Sequence, residues 1–192
     1  MDIFEAIRNR RTIRFFKQEP VSDEDLRGII DAARLASCAA NMQRLRFVAA
    51  RTPELVNDIL AQTKWAGRVQ PRRTPQAGET GPAAFIAITI PETAKDVHIY
   101  ADAGAAIQSM ELEAWGRGLG CCWIGSVNIP EVEKLLEIGN GQKLLYVVAI
   151  GYPAEEPVSE DISSPDGIAY YLDENNKLHV PKLAVDAVTV WK

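Results

Sequence analysis

Apolar positions in this chain recur at two spacings, one helical and one extended, separated by turn residues. Ile3, Phe4 and Ile7 fall at i, i+1 and i+4, which predicts a short helix with one buried stripe. Val21-Ser22-Asp23-Glu24-Asp25-Leu26 reads as a helix start: Ser22 caps, Asp25 answers it, and Val21 with Leu26 makes a hydrophobic staple. That helix buries Leu26, Ile29, Ile30 and Ala33 and runs out near Ala36. Leu45 to Ala50 reads as a strand. Thr52 caps a third helix with Pro53 at its first position and Leu55, Val56, Ile59 and Leu60 as its stripe. The near-continuous apolar run Ala83 to Ile90 predicts a buried strand. The longest helical pattern, roughly His98 to Arg117, places Ile99, Ala103, Ala106, Ile107, Met110 and Ala114 on one face. Almost nothing in its middle is bulky and charged, so it reads as the central helix, stopped by Gly116, Gly118 and Gly120. A short strand over Cys121 to Gly125, a helix capped by Asn128 through Val132, Leu135 and Leu136, and a second buried strand over Leu144 to Ile150 follow.

Two stretches break the periodicity. Lys64 to Gly81, with Arg68, Arg72 and Arg73 among prolines and glycines, reads as a mobile basic loop that is either a lid or disordered. After Ala154 an acidic connector (Glu155, Glu156, Glu160, Asp161) leads to a hairpin in which Tyr170-Tyr171-Leu172 and Lys177-Leu178-His179-Val180 flank Asp173 to Asn176. The tail from Lys182 to Lys192 has no partner pattern of its own, and its Ala184, Val185, Val188, Val190 and Trp191 need an apolar surface. Residues 154–192 are therefore expected to form an arm that docks on a neighbouring subunit.

The 192 residues fit a single domain, 1–192, with enough chain to bury its own core. A net charge of -5 argues against a general nucleic-acid binder. Met1 leads straight into an amphipathic helix without a signal-peptide pattern, and the apolar runs are too short to span a bilayer. The expectation is a soluble cytoplasmic protein with no membrane partner. Cys38, Cys121 and Cys122 contain no Cys-x-x-Cys, and neighbours on a strand point to opposite faces, so they read as reduced thiols. His98 and His179 lie far apart with no ligand pattern, and no metal site is expected.

Against this acidic background, Arg8, Arg10, Arg11 and Arg14 crowd into one segment. Part of that cluster suits the C-terminal end of a helix and needs no ligand. Alternatively, Arg10, Thr12 and Arg14 share one side of an extended turn and form a fork for a phosphate. The small, aperiodic stretch Ser37-Cys38-Ala39-Ala40-Asn41-Met42-Gln43 has the same two sides: a tight connection, or a loop that lets another surface approach its backbone.

Four blocks in order resemble the nitroreductase family of flavin enzymes. They are Arg10-Arg11-Thr12-Ile13-Arg14-Phe15, Ala36 to Gln43 ending in Asn-x-Gln, Asp102 to Gln108 leading to Gly118-Leu119-Gly120-Cys121-Cys122-Trp123-Ile124-Gly125, and Ala149 to Ala154. The resemblance implies an α+β sandwich, a mainly antiparallel sheet flanked by helices, in an intertwined homodimer with FMN at the subunit interface. It implies that Arg10, Arg11, Thr12 and Arg14 take the FMN phosphate and nearby ring edge. Ser37, Cys38, Ala39, Asn41 and Gln43 would approach from the other subunit, the Ile124 and Gly125 backbone would meet flavin N5, and Lys182 would complete the phosphate site. No side chain is expected to act as a catalytic acid or base. The chain departs from the family pattern with Arg44-Leu45 where Pro-Trp is common, Cys38 for serine, Ala40 for glycine, and Leu183-Ala184 after Lys182. The implied reaction is ping-pong transfer of two electrons from NADH or NADPH to a nitroaromatic, quinone or similar small acceptor. The alternatives are a flavoenzyme specialised for one metabolite, a flavin carrier or sensor with little turnover, and a dimeric interaction protein whose arginines are only surface.

Overall fold

Three layers form around a four-stranded antiparallel sheet in the computed structural model, which describes residues 2–192. The reading of Met1 lies outside the described residues. In chain order the elements are α1 (Ile3–Asn9), α2 (Asp23–Arg34), β1 (Arg46–Ala50), α3 (Pro53–Ala61), β2 (Ala84–Pro91), α4 (His98–Gly116), β3 (Gly120–Ile124), α5 (Ile129–Leu135) and β4 (Gln142–Gly151). They continue with β5 (Val158–Ile162), β6 (Tyr171–Leu172), β7 (Leu178–Leu183) and α6 (Val185–Val188). The main sheet runs β1-β2-β4-β3, and a smaller sheet runs β5-β7-β6.

The apolar run of β2 is buried on both faces, so its period-2 alternation divides it between two cores. Phe85 and Ala87 join Val56, Ile59 and Leu60 of α3 and Val132 of α5. Ala84, Ile86 and Ile88 join Leu26, Ile29 and Ala33 of α2 and Ala103, Ala106, Ile107 and Met110 of α4. Cys122 and Cys121 divide the same way, one to each core. Burial pushes both thiols up, Cys122 to about 12, so both stay protonated and unreactive.

Helix ends follow the local chemistry only in part. Ser22 caps α2 by accepting from Asp25 N–H at 3.0 Å. Gly118, at φ +78°, closes α4: its N–H donates to the Trp115 carbonyl and Leu119 N–H reaches back to Ala114. Thr52 and Asn128, expected as caps, make no side-chain cap bond. Asn128 instead donates to Gln62 Oε1 at 2.9 Å, joining the start of α5 to the end of α3.

Four further expectations are corrected. Ile3, Phe4 and Ile7 of α1 are 63%, 65% and 56% exposed, and only Ala6 is buried. Their helical spacing puts them on one face, but that face turns away from the chain's own core. Segment 64–81 is not loose, because Trp65, Val69 and Arg73 are buried in it. Helix α4 carries two buried carboxylates, Asp102 and Glu111, on its packed face. The acidic connector contains a strand, β5, lying parallel to β7, so Lys182 pairs in register with Asp161 rather than opening an unpaired tail. Beyond Leu183 the tail forms one helical turn, and Val185, Val188, Val190 and Trp191 are exposed.

Candidate functional site

The basic segment becomes an extra strand at the sheet edge. Thr12 bridges Cys121 of β3, and Ile13 N–H donates to the Cys121 carbonyl at 2.9 Å. Phe16 then bridges Pro153, while Lys17 N–H donates to Tyr152 and Ala154 N–H to Phe15. Two glycines make the approach feasible. A Cβ on Gly120 would fall inside the Ile13 side chain, and one on Gly151 would stand 2.9 Å from Phe16 Cδ1. With Ile13 and Phe16 buried as anchors, the half-buried Arg10, Thr12 and Arg14 are carried along the edge of β3. That strand ends in buried Ile124, and exposed Gly125 follows it.

Each arginine has a different environment. Arg10 lies 3.2 Å from the buried carboxylate of Glu111, yet its Nε is buried without a hydrogen-bond partner. Burial raises Glu111 above the ordinary glutamate range, and Arg10 only partly offsets this. Arg11 turns to the 153–159 connector, donating to the Arg10 carbonyl and the Ser159 hydroxyl. Burial and the charge of Arg10 lower the Arg11 pKa. Arg14 stacks over Tyr170 at 5.1 Å, and among the described residues no carboxylate pairs with its guanidinium. Its backbone N–H, with that of Phe15, donates to Glu155 Oε1 at 2.5 and 3.2 Å.

The small-residue loop is held by backbone conformation and one carboxylate. Ala40, Asn41 and Gln43 have φ of 50°, 52° and 48°, the left-handed region that costs non-glycine residues energy unless the surroundings fix it. Asp102 supplies part of that fixing by accepting from Ala39 N–H at 2.8 Å. Gln43 N–H donates to the Cys38 sulfur, and Gln43 Nε2 to Asn41 Oδ1. Arg44, the departure from the family pattern, spans Asp96 at 2.6 Å and Asp102 at 3.5 Å, and its bonds hold the Asp96 carboxyl below its usual range. A cavity of about 290 Å³ opens beside this loop, with Ser37, Cys38, Gln43, Arg44 and Asp102 in its wall.

The structure therefore docks the segment carrying Arg10, Thr12 and Arg14 on β3, the strand that ends at Ile124, with Gly125 next in the chain. Ser37, Cys38, Ala39, Asn41 and Gln43 gather on the loop facing α4. The loop cavity has none of the first group in its wall. A second cavity of about 540 Å³ lies at Gly125, between residues 61–64 and 125–128. Lys182 is exposed on β7. Sequence reasoning missed Glu111, Glu155, Asp102 and Arg73, which hold these groups in place. For Asp102 and Glu111 the one local signal was a charge interrupting an otherwise apolar or small-residue helix, whereas Glu155 and Arg73 each lie among like charges and carried no such signal.

The nitroreductase family profile matches residues 7–152. A protein of Methanothermobacter thermautotrophicus, provisionally named NADH dehydrogenase/NAD(P)H nitroreductase, is 28% identical over 173 residues, covering 88% of this chain and 86% of its own. The 5,6-dimethylbenzimidazole synthase of Rhodospirillum rubrum is 25% identical over 173 residues, covering 79% and 82%. The crystal structure of a provisionally assigned nitroreductase from Desulfovibrio desulfuricans, in complex with FMN, superposes with a TM-score of 0.66 at 28% identity, covering 83% of this chain and 91% of that one. The chain belongs to the nitroreductase family, and its antiparallel sheet flanked by helices is a nitroreductase α+β fold. No helix among the described residues is long and apolar enough to cross a membrane.

Proposed function

We propose that this protein is an FMN-dependent oxidoreductase that passes two electrons from NADH or NADPH to an electron-poor small molecule, a nitroaromatic or quinone, in two half-reactions at one site. The observation that carries the reading is the docking of the basic strand on β3, which holds the Arg10–Arg14 segment against the strand that leads to Gly125. The residues fit the cofactor: Arg10 keeps a buried, unpartnered Nε besides its contact with Glu111, and Arg14 has no carboxylate partner among the described residues. Guanidinium donors of this kind suit a phosphate. Bound FMN supplies the hydride chemistry; the protein supplies placement and electrostatics.

Arg10, Thr12 and Arg14 hold the phosphate end, with Lys182 as a further cation and Arg11 bracing the strand from behind. The backbone at Ile124 and Gly125 would meet the reactive edge, and Gly125 has no side chain to obstruct it. Ser37, Cys38, Ala39, Asn41 and Gln43 contribute from a second copy of the chain. The exposed Ile3, Phe4 and Ile7 and the tail residues Val185 to Trp191 are the apolar surface that such a homodimer would cover, with 154–192 as the docking arm. No side-chain acid or base is required. Both neighbouring thiols, Cys121 and Cys122, are held protonated and do not compete as nucleophiles.

A second reading, a flavin enzyme dedicated to one metabolite, is favoured by the likeness to 5,6-dimethylbenzimidazole synthase and by the packed rather than open 64–81 segment. The test of the main reading is the visible spectrum of purified protein before and after anaerobic NADH or NADPH. Flavin bands that bleach, then recover when a quinone or nitroaromatic is added, are the expected result. Protein that stays colourless after incubation with FMN would sink it. Bleaching without recovery by several acceptors would favour the dedicated enzyme.

A further inference from the structure

We infer that the buried Arg73–Glu155 ion pair is a positioning device for the basic strand and sets how tightly the strand holds a phosphate. The inference rests on the phosphate reading above. Glu155 Oε1 accepts from the backbone of both Arg14 and Phe15, and Ala154 N–H donates to the Phe15 carbonyl at 2.9 Å. The register of the strand at its Arg14 end is thus fixed from the connector side. The Glu155 and Arg73 side chains are each 6% exposed, with Oε2 and Nε 3.0 Å apart. Neither of those two atoms is aligned for a hydrogen bond, so the attraction between them is chiefly of charge.

Arg73 also stacks 4.8 Å over the Phe15 ring and donates to the Asn176 carbonyl in the turn between β6 and β7. One cation therefore joins the 64–81 segment, the basic strand and the small sheet. Tyr170, stacked on Arg14, reinforces this by accepting from Arg68 N–H at 3.4 Å.

The physical logic is a matter of sign. A buried carboxylate is a strong acceptor for two backbone N–H groups, but an unneutralised one beside an anion site would repel the anion. Arg73 cancels that charge, so Glu155 holds the strand without opposing the phosphate. The segment expected to be a mobile basic loop thus gives one of its arginines, Arg73, to the interior.

The experiment compares binding of FMN and riboflavin, which lacks the phosphate, by flavin-fluorescence titration of the full chain. The wild type should prefer FMN. Arg73→Met should lower that preference roughly tenfold, the size of one charge-assisted interaction, with riboflavin affinity little changed. The double variant Arg73→Met/Glu155→Gln keeps an acceptor without the charge and should restore most of the preference. Glu155→Ala, which removes the acceptor, should lower it again and supplies the test if Arg73→Met does not fold. An unchanged preference in the single variants, or an equal loss of both flavins, would overturn the positioning role alone. A wild type that binds both flavins equally would overturn the phosphate reading, and this inference with it.

Discussion

The basic strand and the small-residue loop both present groups proposed to meet one cofactor, yet they are held by opposite means. The strand is fixed through side chains and sheet-edge bonds: Ile13 and Phe16 are its buried anchors, and Glu111 and Glu155 hold its two ends. Its own backbone is ordinary extended chain that bridges β3. The loop has few side-chain anchors and is fixed through an unusual backbone, with three left-handed non-glycine residues and one carboxylate, Asp102, accepting from Ala39 N–H. A cationic site needs its side chains preset, because guanidinium groups repel one another unless countercharges hold them. A loop that offers backbone to a ligand needs its dihedrals preset instead. Helix α4 serves both, with Asp102 near its start and Glu111 further along.

This contrast predicts different failures. Gly120→Ala should do the most damage, because a Cβ there cannot coexist with Ile13. The strand must shift off β3, costing about 1–3 kcal/mol of stability and most FMN uptake. Urea denaturation and flavin content of the purified variant measure the two effects, and a variant with normal flavin content would break the proposed link between strand docking and cofactor.

Asp102→Asn should be milder. The amide oxygen can still accept from Ala39 N–H, while the charge facing Arg44 is lost, for about 1 kcal/mol. The variant should retain its preference for FMN over riboflavin, since the phosphate end is untouched. A loss of that preference would mean that the two regions are not separately held.

The smallest effect concerns pH. Burial raises the Glu111 carboxyl in the folded protein above its ordinary value of 4.5, so the folded state binds that proton more tightly than the unfolded chain does. Its contribution to stability is present below about 4.5 and is lost as pH rises through the raised value. Glu111→Gln should flatten that part of the stability–pH profile measured by thermal melting. A variant whose profile keeps the wild-type slope would show that Arg10 fully compensates the buried charge.

Much of the fold was legible because it is written in short-range patterns. Val21 to Ala33 carries its cap, staple and stripe within one stretch, and the structure forms α2 there with Ser22 as cap. The apolar run ending at Ile90 could only be a strand covered on both faces. The strand within the acidic connector was hidden, since Val158 to Ile162 alternates too weakly to be read and is made a strand by parallel pairing with β7. The mobile reading of 64–81 failed for a related reason. Trp65, Val69 and Arg73 have no period between them, and only long-range contacts bury them.

By itself the sequence determined the main helices and the strands of the main sheet, which residues share a face, and which blocks place the chain in its family. It also located the basic strand and the small-residue loop. Tertiary structure alone decided what each face meets. The α1 stripe of Ile3, Phe4 and Ile7 is real as spacing, but its exposure depends on where the helix lies, and helical period carries no such information. The same holds for the carboxylates. Glu111 reaches the Arg10 guanidinium across about a hundred residues of chain, and Glu155 reaches Arg73 and, across most of the chain's length, the Arg14 backbone. Coulomb attraction acts through space, so a partner that distant leaves no trace in local pattern until the chain has folded.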